Sequence, residues 1–136
     1  MSKRNLATGE QAEVVSLADA GRTTTVVSIP NGTSVSASLD LATTALIGFI
    51  APAAWTVAAL NIEASIDGTT WVTAGLFNQA GTAVSSWSSV TAGAGYSVDS
   101  AAMLPWRYIR FRSGTAAAPV TQLAQRDFTA ITRFLA

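Results

Sequence analysis

At 136 residues the chain has the length of one domain, enough to bury about two thirds of its unfolded surface. It is 49% hydrophobic and only 12% charged, which argues against disorder, and its formal net charge of +0 supplies no global field toward nucleic acid or a membrane. Histidine and cysteine are both absent, which excludes disulfides, thiolate or imidazole metal sites and the Ser-His and Cys-His nucleophile pairs.

Residues 1–22 stand apart. They hold Lys3, Arg4 and three acids, carry few β-branched residues and end at Ala20-Gly21. They read as an extended N-terminal arm with a short helical turn around Gln11–Leu17, either lying on a neighbouring subunit or simply frayed. Lys3, Arg4 and Leu6 are its candidate contact residues. Met1–Leu6 lacks the apolar core of a signal peptide.

From residue 23 to residue 136 the pattern is that of one β domain. Thr24–Ile29 is β-branched and runs into the turn signal Pro30-Asn31-Gly32. Ser34–Leu39 alternates polar and apolar residues without a fault, and Leu60–Ile66 does the same, so each predicts a strand with one core face and one polar face. Between them, Leu41 to Asn61 is uncharged. Pro52 interrupts it, Thr43 and Thr44 dilute it, and its flanks are Asp40 and Glu63, so two buried strands joined at Ala51-Pro52-Ala53-Ala54 explain it better than a membrane span.

Asp67-Gly68 predicts a tight turn leading to a strand through Trp71-Val72. Further strands are expected at Ala83–Val90, Tyr96–Asp99, Trp106–Arg112 and Phe128–Leu135, with Ser113–Gln125 as a long loop rich in small residues. Eight or nine short strands without a helical period predict an all-β fold, an antiparallel two-sheet β-sandwich of jelly-roll type, with a small barrel as the alternative.

Little in the chain suits catalysis. Glu63 is expected to point outward from its strand and Asp67 to sit in a turn, as ordinary solvated acids, so no enzyme activity, cofactor or metal is expected. Between Thr23 and Trp106 the only charges are Asp40, Glu63, Asp67 and Asp99, whereas Arg107, Arg110, Arg112, Arg126 and Arg133 follow with Asp127 as the one acid. Either these form opposite-sign surfaces that favour self-association, or they pair within the fold.

In Trp106–Arg112 the alternation places Tyr108, Arg110 and Arg112 on one face and Ile109 and Phe111 on the other. That stripe serves a protein interface, or less readily nucleic acid, given the zero net charge. Trp55, Trp71, Trp87 and Trp106 either pack in the core or stack on a sugar. Trp87, set among serines, reads as an interface anchor or an exposed binding residue, the anchor being favoured.

Three segments carry a resemblance: Ala51-Pro52-Ala53-Ala54-Trp55-Thr56, Ala64-Ser65-Ile66-Asp67-Gly68-Thr69-Thr70-Trp71, and Arg107-Tyr108-Ile109-Arg110-Phe111-Arg112-Ser113-Gly114-Thr115. In this order they resemble a family of small tailed-bacteriophage virion proteins, over roughly residues 25–135. The resemblance implies a capsid decoration, or cement, protein. Such a protein is made in the host bacterial cytoplasm, sits on the capsid exterior as a homotrimer and binds the major capsid protein. The alternative it leaves open is a tail, collar or fibre module that binds a host glycan.

Overall fold

The computed structural model describes residues 21–74, 86–87, 90–99 and 103–134. Most of the expected arm, with Lys3, Arg4, Leu6 and the turn around Gln11–Leu17, lies outside these residues. Nine strands are described: β1 (Arg22–Ile29), β2 (Leu39–Asp40), β3 (Thr44–Ile50), β4 (Leu60–Ser65), β5 (Val72–Thr73), β6 (Ser86–Trp87), β7 (Gly95–Ser97), β8 (Tyr108–Ser113) and β9 (Arg126–Phe134).

They form two antiparallel sheets. The first has the order β1-β9-β3-β7, and the second β2-β8-β4, with β5 and β6 both on the far edge of β4. The pairings are nested: β1 with β9, β2 with β8, β3 with β7, and β4 with β5 and β6. That is the winding of a jelly roll, with successive strands alternating between the two sheets except at β4, β5 and β6, which lie together in the second. The uncharged stretch from Leu41 to Asn61 resolves into β3 and β4, one in each sheet, joined through Ala51–Ala54.

The two sheets enclose an aromatic core. Phe49 of β3, Phe111 of β8 and Phe128 of β9 are fully buried. Phe111 and Phe128 stack with centroids 4.4 Å apart, and Phe49 meets Phe111 edge-on at 5.3 Å. β3 reaches this core through a bulge between Leu46 and Gly48. A Cβ on Gly48 would lie 2.7 Å from the Tyr96 carbonyl oxygen, so only glycine lets β3 and β7 approach so closely.

Two expectations fail in instructive ways. Ser34–Leu39 forms no regular strand: only Val35 makes a bridge, to Arg112, before β2 begins at Leu39. The buried residue is Ser36, not Val35 or Ala37. Its amide donates to the Phe111 carbonyl at 2.9 Å, and its hydroxyl accepts the Phe111 amide at 2.9 Å. A side-chain oxygen replaces a backbone carbonyl in the ladder, and the alternation is lost. In β4, all six residues are buried rather than alternating. Glu63, expected to be solvated, is only 3% exposed.

Candidate interaction surfaces

The first candidate surface is the outer face of the second sheet. β8 presents Tyr108, Arg110 and Arg112 away from the core, while Ile109 and Phe111 are fully buried, as alternation requires. The register sets Glu63 of β4 opposite Arg110. Arg110 Nε donates to Glu63 Oε1 at 2.7 Å, and Arg112 Nε donates to Glu63 Oε2. Arg112 also reaches the Ser34 hydroxyl, and the Arg110 guanidinium lies 4.2 Å from the centroid of the Trp71 ring. Burial pushes the Glu63 carboxyl up, but hydrogen bonds and charge from Arg112 and Arg110 outweigh it and hold the group below its ordinary value.

Both arginines of the stripe are therefore paired with the one carboxylate of Glu63, which offsets half of its charge. Arg107 makes a two-pronged bond to Asp40, both contacts 3.2 Å, and its hydrogen bond holds the Asp40 carboxyl below the usual range. Asp40 and Glu63 thus pair with Arg107, Arg110 and Arg112 across the second sheet, the within-fold pairing that was one of the two readings of the sequence, while Asp67 and Arg126 bond to uncharged partners. For Arg126 these are Gln122 Oε1 and Thr56 Oγ1, both at 3.0 Å.

The second candidate surface is one end of the sandwich, where the connections β1–β2, β3–β4, β6–β7 and β8–β9 converge. No charged residue occurs in 30–38, 51–59, 91–94 or 114–125. Val57 is 89% exposed and Leu123 75% exposed, on neighbouring loops linked by the Leu123 amide to the Thr56 hydroxyl. This end is firmly tied. Gly93 N donates to Pro52 O, Ala51 N to Ala94 O and Gly114 N to Ala59 O. A Cβ on Gly114, whose φ is +78°, would lie 2.5 Å from the Ala118 carbonyl oxygen, so the β8–β9 loop can turn there only at glycine.

Gln122 is the hub, and sequence reasoning missed it. It is fully buried. Its backbone pairs with Gly32 and Thr33, and its side chain binds both the amide and the carbonyl of Thr56 at 3.0 and 3.1 Å. The same amide group donates to the Ser113 hydroxyl and accepts from Arg126. Through its backbone and its uncharged side chain together, this one residue joins the β1–β2, β3–β4 and β8–β9 loops. Nothing in Val120-Thr121-Gln122-Leu123 distinguishes this glutamine from a solvated one.

The tryptophans do not assemble into one platform. Trp87 leans edge-on against Phe49 at 5.1 Å, so part of its indole is committed to the core margin. Trp55 packs on Phe128 at 5.6 Å and donates to the Ala58 carbonyl. Trp106 edges a depression of about 380 Å³ with Leu104, Pro105 and Arg107, at the opposite end from the neutral loops. A second depression of about 480 Å³ runs along Pro52, Ala54, Gly93, Gln125 and Arg126 and has no aromatic lining. Among the described residues no group of acids could hold a metal ion, and no helix is long and apolar enough to cross a membrane.

Fold and surfaces together define a jelly-roll sandwich with a neutral, internally tied loop end and a self-paired arginine stripe. No protein-family model matches the sequence, and no curated protein matches it. Among solved structures the fold is similar to that of the SPBc2 prophage-derived protein YomS. The two share 10% identity with a TM-score of 0.55, over 82% of this chain and 93% of that one. The chain thus has the fold of a prophage-derived protein.

Proposed function

We propose that this protein is a non-enzymatic structural component of a tailed-phage virion, a decoration protein whose neutral loop end docks on the major capsid protein. The observation that carries this reading is the construction of that end. Its loops are uncharged, so contact desolvates little charge. Val57 and Leu123 project from a frame fixed by Gln122, so little conformational entropy is lost on docking. Many copies on one shell would add weak contacts into firm attachment without any pocket. Likeness of fold to a prophage-derived protein supports the phage setting.

The competing reading is a tail or fibre module that binds a glycan, favoured by the depression where Trp106 stands beside Arg107. Purified protein added to particles that lack it, followed by cryo-electron microscopy, separates the two. Decoration expects regular density over the capsid, lost when Val57 and Leu123 are both changed to Asp in a variant that melts like the parent. Docking that survives Val57→Asp/Leu123→Asp would overturn the assigned surface. Density confined to the tail, with glycan binding abolished by Trp106→Ala, would replace the reading altogether.

A further inference from the structure

Edge strands tempt other strands to pair, and proteins usually blunt them by shortness, proline, lysine or a bulge. Among the described strands, β2, β5, β6 and β7 are only two or three residues long. β1 is different. It is an eight-residue strand at the open side of the first sheet, its register with β9 runs without interruption, and it contains neither proline nor lysine. Arg22 to Val26 are all exposed, four of the five are β-branched, and Val26 is 64% exposed.

Backbone parity identifies the groups left facing outward. The Phe134 amide donates to the Gly21 carbonyl at 2.6 Å, so odd-numbered residues of β1 turn their backbone groups toward β9. Arg22, Thr24, Val26 and Ser28 turn theirs to the open side. The Ser28 carbonyl already accepts the Ala37 amide at 3.3 Å. Among the described residues, no backbone–backbone hydrogen bond reaches the outward groups of Arg22, Thr24 or Val26.

We propose that this edge pairs antiparallel with the same edge of a second copy of the chain, about a two-fold axis at Thr24. That register sets Arg22 opposite Val26, Thr23 opposite Thr25 and Thr24 opposite its own copy. It is the register that uses all three outward-facing residues and leaves Ser28 to Ala37. It forms roughly six backbone hydrogen bonds, two for each hydrogen-bonded pair. No two charges oppose one another, the Arg22 stem covers Val26, and Thr–Thr pairs are favourable neighbours. The two first sheets become one continuous sheet. A two-fold contact of this kind is isologous and closes at two copies, unlike the three-fold association implied by the family resemblance. The inference is independent of where the protein sits in a virion.

Sedimentation equilibrium of the full chain tests it. A mass of two chains at micromolar concentration, falling to one on dilution, is expected. Thr24→Pro removes an amide that faces outward and leaves the β9 ladder intact, so it weakens dimerisation at least tenfold while the monomer stays folded. Val26→Lys places a lysine opposite the partner's Arg22 and does the same, and adding Arg22→Glu restores the dimer through opposite charges. A parent chain that is monomeric or trimeric, or a dimer indifferent to both Thr24→Pro and Val26→Lys, overturns the proposal. Amide exchange closes the remaining route: slow exchange at Thr24 and Val26 in a monomer would mean another segment of the same chain covers the edge, which also overturns it.

Discussion

The two ends of the sandwich solve the same problem with different chemistry. At one end the loops themselves carry no charge and are tied mainly by neutral groups, the Gln122 amide, the Thr56 backbone and loop amides and carbonyls, with Arg126 of β9 bonded to the same Gln122 and Thr56. At the other, carboxylates do it. Asp67 Oδ1 accepts the Thr69 and Thr70 amides at 2.8 Å and the Ser65 hydroxyl at 2.9 Å, while Asp40 caps the Ala42 amide and holds Arg107. Neutral ties leave a surface that another protein can cover at little electrostatic cost. Ionic ties leave one that stays hydrated and answers to pH. The same fold therefore presents one end suited to burial and one suited to solvent.

Between the ends, the Arg110–Glu63–Arg112 cluster tests how far charge matters to the charged half. Glu63→Ala leaves two mostly buried guanidinium groups without their partner, and is expected to lower stability by about 3 kcal/mol or more. Denaturant unfolding measures it; a loss as small as that of an exposed ion pair would mean that water fills in for the carboxylate. Gln122→Ala strikes the neutral end. It strands the Thr56 amide and carbonyl and should cost about 2–3 kcal/mol, equally at pH 7 and pH 4 because nothing there titrates in that range. A pH-dependent loss would break the contrast between the ends.

The smallest effect is the acid response of the charged end. The Thr70 and Thr69 amides, with the Ser65 hydroxyl, hold the Asp67 carboxyl down from an ordinary 3.8 to about 2. A carboxyl depressed by folding stabilises the fold fully above its unfolded value and loses that contribution as pH falls toward the folded one. Stability should thus decline between about pH 4 and pH 2, and Asp67→Asn should flatten that part of the curve. Glu63, also held below its ordinary value, adds to the decline in the same direction. Melting temperatures taken across this range, parent against variant, read the difference directly.

Much of the fold was legible in the sequence. The β-branched run Thr24–Ile29, the turn at Pro30-Asn31-Gly32 and the alternation in Tyr108–Arg112 each depend on neighbours along the chain, and each holds in the structure. Asp67-Gly68 is likewise a turn, with Gly68 at φ +79°. The errors have another character. Ser34–Leu39 alternates as a strand should, yet its register is decided by Phe111, some seventy-five residues away, which takes the Ser36 hydroxyl into the ladder. Apart from these errors, the half-buried Trp87, set among serines, is brought against Phe49 by the pairing of β6 with β4, a contact its sequence neighbours do not announce.

By itself, then, the sequence determined the all-β class, most long strands and their inward faces, the glycine turns and the lack of histidine and cysteine chemistry. These follow from local sterics and from period-two patterning, which a strand expresses before it finds a partner. Only the tertiary structure decided that Glu63 is buried between two arginines, that Gln122 joins three loops and that β1 is the outermost of the described strands in its sheet. Each of these depends on which strands become neighbours. The partner lies tens of residues away for Glu63 and Gln122, and the edge of β1 exists only because the winding of the sheets places it outermost.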